Sequence, residues 1–174
     1  MPGASMQDLD AQAVDQLREV LGVTQGTDRL LATRSLLTAR KQVTIAAYLL
    51  LGREPQTQMP HAHVRVLRYL SSHAGTGARQ SLAADGDQRI EGRIPEIISA
   101  AAGLIREWMP HRRALGPSGR FESVPIVPHD AWIEGLVNAV VHRSYSKLGD
   151  HIRVAIFPDR IEIESPRRFP LIVD

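Results

Sequence analysis

DAWIEGLVNAVVHRSY, residues 130–145, decides how the rest of the chain is read. At 100° per residue, Ile133, Leu136, Val137, Val140 and Val141 fall on one face, so the spacing predicts a helix over 130–145 that buries them together. Glu134, Asn138 and His142 recur at i, i+4 and i+8 and form a polar stripe beside that face. A carboxylate and a carboxamide held one turn apart at the margin of a core can share a metal ion, a water or a phosphate. Equally, such a pair can cap the solvent side of an ordinary amphipathic helix. Pro128 and Asp130 supply the start signal, the aspartate as an acceptor for an orphan N–H, and Gly149 supplies a break after the end.

Composition bounds what this helix can belong to. The chain has 174 residues, enough for one large domain or two small ones, and its 43% hydrophobic content is ample for a core. No apolar run approaches the roughly 20 residues of a bilayer span, and no basic-then-apolar leader opens the chain. The expectation is a soluble protein, cytoplasmic by default, with no membrane partner. The absence of cysteine excludes disulfides, thiolate catalysis and cysteine-ligated zinc. Lysine plus arginine number 21 against 19 acidic residues, and a charge of +2 is too small to imply nucleic-acid binding by itself. Its distribution adds two basic knots, His111-Arg112-Arg113 and Arg167-Arg168, which read either as phosphate contacts or as solvated surface.

Working outward, Asp8 to Leu21 repeats apolar residues with helical period and stops at Gly22, predicting an N-terminal helix within residues 1–22. TIAAYLLL, residues 44–51, predicts a buried helix, and the two prolines at Pro55 and Pro60 an irregular connection. His61 to Leu70 predicts a strand. Residues 71–88, rich in Gly, Ala, Ser and Asp, read as an unstructured loop. Pro95 opens a helix with Ile97, Ile98, Ala101, Leu104, Ile105 and Trp108 inward. Residues 110–119 read as a basic hinge followed by an extended ESVPIVP, and 151–164 as a hairpin turning at Pro158-Asp159.

GLVNAVVHRSYS followed by DHIRVAIFPDRIEIESPRRFP resembles the C-terminal ATPase-like domain of RecG-related transcriptional regulators, whose pattern reads E-x-L-x-N-A-x-x-H-R-D-Y. In the GHKL ATPases that this domain is similar to, the helix carries an E-x-x-x-N box. The resemblance implies that Asn138 ligates the Mg²⁺ bridging the phosphates of ATP and that Glu134 is the catalytic group orienting water. His142 and Arg143 follow the box and are taken as cofactor-binding positions; His142 can reach a phosphate or a partner, and reads equally as a satisfied helix-end histidine. VTIAAYLLLGREPQTQMPHAHVRVLRY, from Val43, with the E-G-x-I-P-E-I-I segment after it, is similar to the second half of the AlbA-like (Schlafen-type) DNA-binding domain that precedes the ATPase-like domain in that family.

The two resemblances imply an α/β (α+β) fold: the tail of an AlbA-like domain over residues 23–115, then a partial GHKL-like sandwich over 116–174. They also imply weak, salt-sensitive DNA binding and leave a homo-oligomer open. Departures shape the expectation. Ala47 stands where the family has glycine, the first half of the AlbA-like domain is missing, and Arg167 replaces a glycine that lets backbone approach nucleotide. No adenine-binding aspartate or lid follows, so the ATP site is expected to be half built and inactive. The rival reading is an interaction module with a degenerate ATPase fold, and a third is an active Mg-ATPase. No G-x-x-x-x-G-K-[ST] occurs, which removes a helicase motor. His61 and His63 read as two surface histidines, and no serine sits in a nucleophile elbow.

Overall fold

The computed structural model describes residues 4–116, 119–145 and 150–166. Its first part is helical: α1 (Ala11–Val20), α2 (Thr27–Thr33), α3 (Ile45–Leu51) and the single turn α4 (Pro55–Gln58). Asp10 caps α1 by accepting the Ala13 N–H at 2.8 Å, and Thr44 caps α3 through the Ala47 N–H at 3.2 Å. Leu9, Ala13, Val14, Leu31, Val43, Ala47, Tyr48 and Leu51 close into one apolar cluster. α3 ends at Gly52, where a Cβ would lie 2.5 Å from the Tyr48 carbonyl oxygen, so the position has no room for a side chain.

A four-stranded sheet follows, in the order β2-β1-β5-β6, built from β1 (Val64–Tyr69), β2 (Leu82–Ile90), β5 (Ile152–Ile156) and β6 (Ile161–Glu164). β1 runs parallel to β5, with Val64 opposite Ile152 and Val66 opposite Val154, and the flanking pairs are antiparallel. Two helices, α5 (Ile94–Trp108) and α6 (His129–Val141), cover one face of it. Between them stands a separate two-stranded ribbon, β3 (His111–Leu115) with β4 (Phe121–Pro125). Period-two alternation sends Val64, Val66, Ile152, Val154 and Ile156 toward Ile97, Ala101, Ile105, Trp132, Leu136 and Val140. The architecture is α+β, and no helix among the described residues is long and apolar enough to cross a membrane.

Several elements depart from the sequence reading, beginning with the connection expected to be irregular after Pro55, which contains the single turn α4. The expected loop over 71–88 contains most of β2, in which residues 83–86 form a bulge opposite Arg68 with Asp85 at φ 56°. That bulge breaks the alternation by which a strand is recognised. The expected hinge over 110–119 contains β3, and the residue-115 boundary expected between domains falls at the turn of the β3–β4 ribbon. The sheet takes strands from both sides of that boundary. A polar clamp links the helical part to the sheet part: the Gln56 carboxamide donates to the Ala62 and Gly92 carbonyls at 2.6 and 2.9 Å and accepts the Gly92 N–H at 3.0 Å.

Candidate functional site

Helix α6 begins at His129, one residue before the expected start, so Asp130 lies inside the first turn and makes no capping bond. Its carboxylate still favours the positive end of the helix dipole. The helix ends at Val141, short of the expected Tyr145, where His142 closes the last turn by donating its N–H to the Asn138 carbonyl at 3.1 Å. The buried face is also rotated from the expected one. Trp132, Leu136, Ala139 and Val140 are buried, Ile133 and Val137 are half-buried, and Val141 is 54% exposed. Trp132 sets this phase, since burying the largest apolar side chain at the start of the helix turns Val141 outward.

A cleft of about 620 Å³ lies between the second half of α6 and the ends of the β5–β6 hairpin, with Asn138 on one wall and Asp150, His151, Arg153 and Glu164 on the other. Gly135 and Ile163 make its floor. A Cβ on Gly135 would lie 3.2 Å from Ile163 Cδ1, so the glycine lets α6 settle close to β6. Ser165 then ties the end of the hairpin to the helix by donating its hydroxyl to the Ala139 carbonyl at 3.1 Å.

The sequence-predicted residues divide around this cleft. Asn138 is exposed at its wall, and its carboxamide makes no hydrogen bond among the described residues. Glu134 stands one turn back on the same stripe, exposed, and is not among the cleft's lining residues. His142 is exposed at the helix end. Arg143 is buried, and its guanidinium donates to the carbonyls of His61 and Asp150, the latter at 2.8 Å, while lying 5.0 Å over the Tyr145 ring. That arginine fastens the segment before β1 to the segment before β5. Arg167 and Arg168 lie outside the described residues.

On the far wall the charged groups pair with one another. Arg153 reaches Glu164 at 3.2 Å and Asp150 at 3.8 Å. Asp150 accepts the His151 N–H at 2.8 Å, which holds its carboxyl below the usual carboxylate range, and its Oδ1 lies 2.7 Å from the His151 ring. His151 stacks on His63 with ring centroids 4.7 Å apart. His63 is 6% exposed and sits beside the Pro60 carbonyl at 2.9 Å, so the expectation of two surface histidines is corrected: only His61 is exposed. Burial pushes both stacked imidazoles below the usual histidine range. His151 Nε2 is buried without a partner among the described residues. Each histidine immediately precedes a strand, but only the parallel register of β1 on β5 makes them neighbours.

The arrangement defines a mixed α+β protein with an open cleft beside a helix-covered sheet. No family model matches the chain and no curated protein matches it. Among solved structures, the DIP2311 protein from Corynebacterium diphtheriae is similar, with a TM-score of 0.64 and 17% sequence identity over 98% of this chain and 33% of that one. This likeness establishes a shared fold, and the present chain spans about a third of the length of DIP2311.

Asn138 offers one neutral oxygen, Arg153 is already paired with two carboxylates, and Glu134 stands outside the cleft. No group of three or more His, Cys, Asp or Glu able to hold a metal ion occurs among the described residues. Among the described residues, phosphates entering this cleft would face Asp150 and Glu164, with Arg153 already paired to both.

Proposed function

We propose that the chain is part of a RecG-related transcriptional regulator, in which an ATPase-like sandwich serves as a scaffold coupled to DNA or partner binding and does not turn over ATP. The observation that carries this reading is Asn138, held at the wall of the α6–hairpin cleft where the resemblance puts the Mg²⁺-ligating carboxamide. The commitment of Arg153 and Arg143 to carboxylates and carbonyls supports the absence of turnover, because a triphosphate needs cations free to receive it.

Calorimetric titration of the chain with Mg·ATP tests the reading. The expected result is no heat of binding and no phosphate release. Micromolar binding that disappears in Asn138→Ala would replace this proposal with an active or regulatory nucleotide site. The exposed position of Glu134 favours, as a second reading, an interaction module whose Glu-Asn stripe faces a partner. Binding of Mg·ATP would count against that as well.

A further inference from the structure

Among the described residues, the β3–β4 ribbon pairs with no other strand, and its residues are exposed except for Ala114 and Val124, which are half-buried. In register, Arg113 lies opposite Ser123 and Leu115 opposite Phe121, so these residues share the outward face with His111. Arg112 projects from the other face, and Arg120 sits at the tip where the second strand begins. Between residues 111 and 125 there are three arginines against one glutamate.

The state of these arginines differs from that of Arg65 and Arg153 on the main sheet and Arg160 beside it, while Arg68 on β1 likewise has no carboxylate partner among the described residues. Arg65 is paired with Asp87 at 2.7 Å, Arg153 with Glu164 at 3.2 Å and Arg160 with Glu162 at 2.6 Å. Arg112, Arg113 and Arg120 have no carboxylate partner among the described residues. Arg113 instead lies 5.5 Å from the centroid of Phe121, a contact that orients the guanidinium while leaving its donors outward. Phe121 and Leu115 are themselves 65% and 67% exposed.

We propose that this ribbon is a contact for B-form duplex DNA, with Arg112, Arg113 and Arg120 on phosphates and Phe121 holding Arg113 in place. Three considerations select that partner. Guanidinium forks without carboxylates match phosphate oxygens. A five-residue ribbon, about 17 Å long at roughly 3.4 Å per residue, enters a major groove about 12 Å wide, whereas the major groove of A-form RNA is too narrow. A second copy of the chain fits less well, because a stable dimer buries roughly 800 Å² on each partner and the Leu115–Phe121 tip offers a small part of that. The inference deepens the DNA-binding half of the proposed function and rests on it, but it is independent of the cleft.

The test is fluorescence anisotropy of a labelled mixed-sequence 20-bp duplex with the whole chain across a series of salt concentrations. The wild type is expected to bind in the micromolar range at low salt. The triple variant R112A/R113A/R120A should bind at least ten-fold more weakly, with a log–log salt slope shallower by about 2 to 3, while its circular dichroism and melting temperature match the wild type. Phe121→Ala should weaken binding by a few-fold, and an RNA duplex of the same sequence should bind less well than DNA. A triple variant with wild-type affinity and salt slope overturns the ribbon assignment and leaves the regulator reading standing. No duplex binding by the wild type overturns both the ribbon and the DNA half of that reading. Self-association abolished by L115S/F121S, with duplex affinity unaffected by loss of the arginines, would assign the surface to a second copy instead.

Discussion

The imidazoles of His63 and His151 lie stacked, 4.7 Å apart and 14° from parallel, at the point where β1 and β5 enter the sheet side by side. Arg65, Arg89, Arg143 and Arg153 act on this pair as positive charges, with Asp150 and Glu91 as the opposing carboxylates. Burial is the largest cause of the downward shift in both rings. A folded-state value below the unfolded one, about 6.5 for histidine, means that the unfolded chain binds protons first as pH falls. The contribution of the pair to stability is therefore complete above about pH 6.5 and is lost as pH drops from there through the lowered folded values. Melting temperature should decline from pH 7.5 to 5.5, and His63→Gln should flatten that decline; an unchanged profile would remove the stack as its source.

Leu136 and Val141 separate the observed phase of α6 from the phase suggested by its valines. Leu136 is fully buried and Val141 is 54% exposed. Leu136→Ala should cost about 2 to 5 kcal/mol, and Val141→Ala less than about 0.5 kcal/mol, both read from urea denaturation. Equal losses would contradict the rotation set by Trp132.

Gly135 offers a graded test of how closely α6 approaches β6. Gly135→Ala brings a methyl 3.2 Å from Ile163 Cδ1, the flexible end of a side chain, and gains helix propensity, so the two effects should nearly cancel. Gly135→Leu must push the helix off the strand and should cost about 1 to 3 kcal/mol. If both variants melt like the wild type, the contact is looser than the structure has it.

Arg143 holds two backbone carbonyls, those of His61 and Asp150, on the approaches to the two central strands. Arg143→Met keeps much of the side-chain volume but leaves both acceptors without their donor, a loss of about 2 to 3 kcal/mol. Lysine has one point charge and no fork, so Arg143→Lys should recover only part of it. Full recovery by lysine, measured by thermal melting, would mean that charge and not geometry matters here.

Much of this was legible where periodicity was undisturbed. The strand at Val64, the helices at Ile45 and Ile94 and the hairpin turning near Pro158 lie where alternation and breakers put them. β2 was hidden because the bulge at Asp85 interrupts its alternation and its composition mimics a loop. The ribbon was hidden because Arg112, Arg113 and Glu122 carry no hydrophobic alternation for a two-sided exposed strand to display. At the cleft, spacing put Asn138 and Glu134 on one stripe and only the resemblance gave them a role, but the separation of Glu134 from the cleft depended on the short, rotated α6. The His63–His151 stack and the task of Arg143 required the parallel register, which joins segments far apart in the chain.

The parallel pairing of β1 with β5 also has a consequence for synthesis. While residues 152–156 are still inside the ribosome, β1 has β2 on one side and an open row of amide and carbonyl groups on the other. Val64 and Val66 can already lie against α5 at that stage, but the inner edge of the sheet is a template for any extended peptide nearby. Translation pauses before residue 156, or truncation there, would prolong that exposure. The nascent chain is thus prone to aggregate after these helices have formed and just before the β5–β6 hairpin emerges.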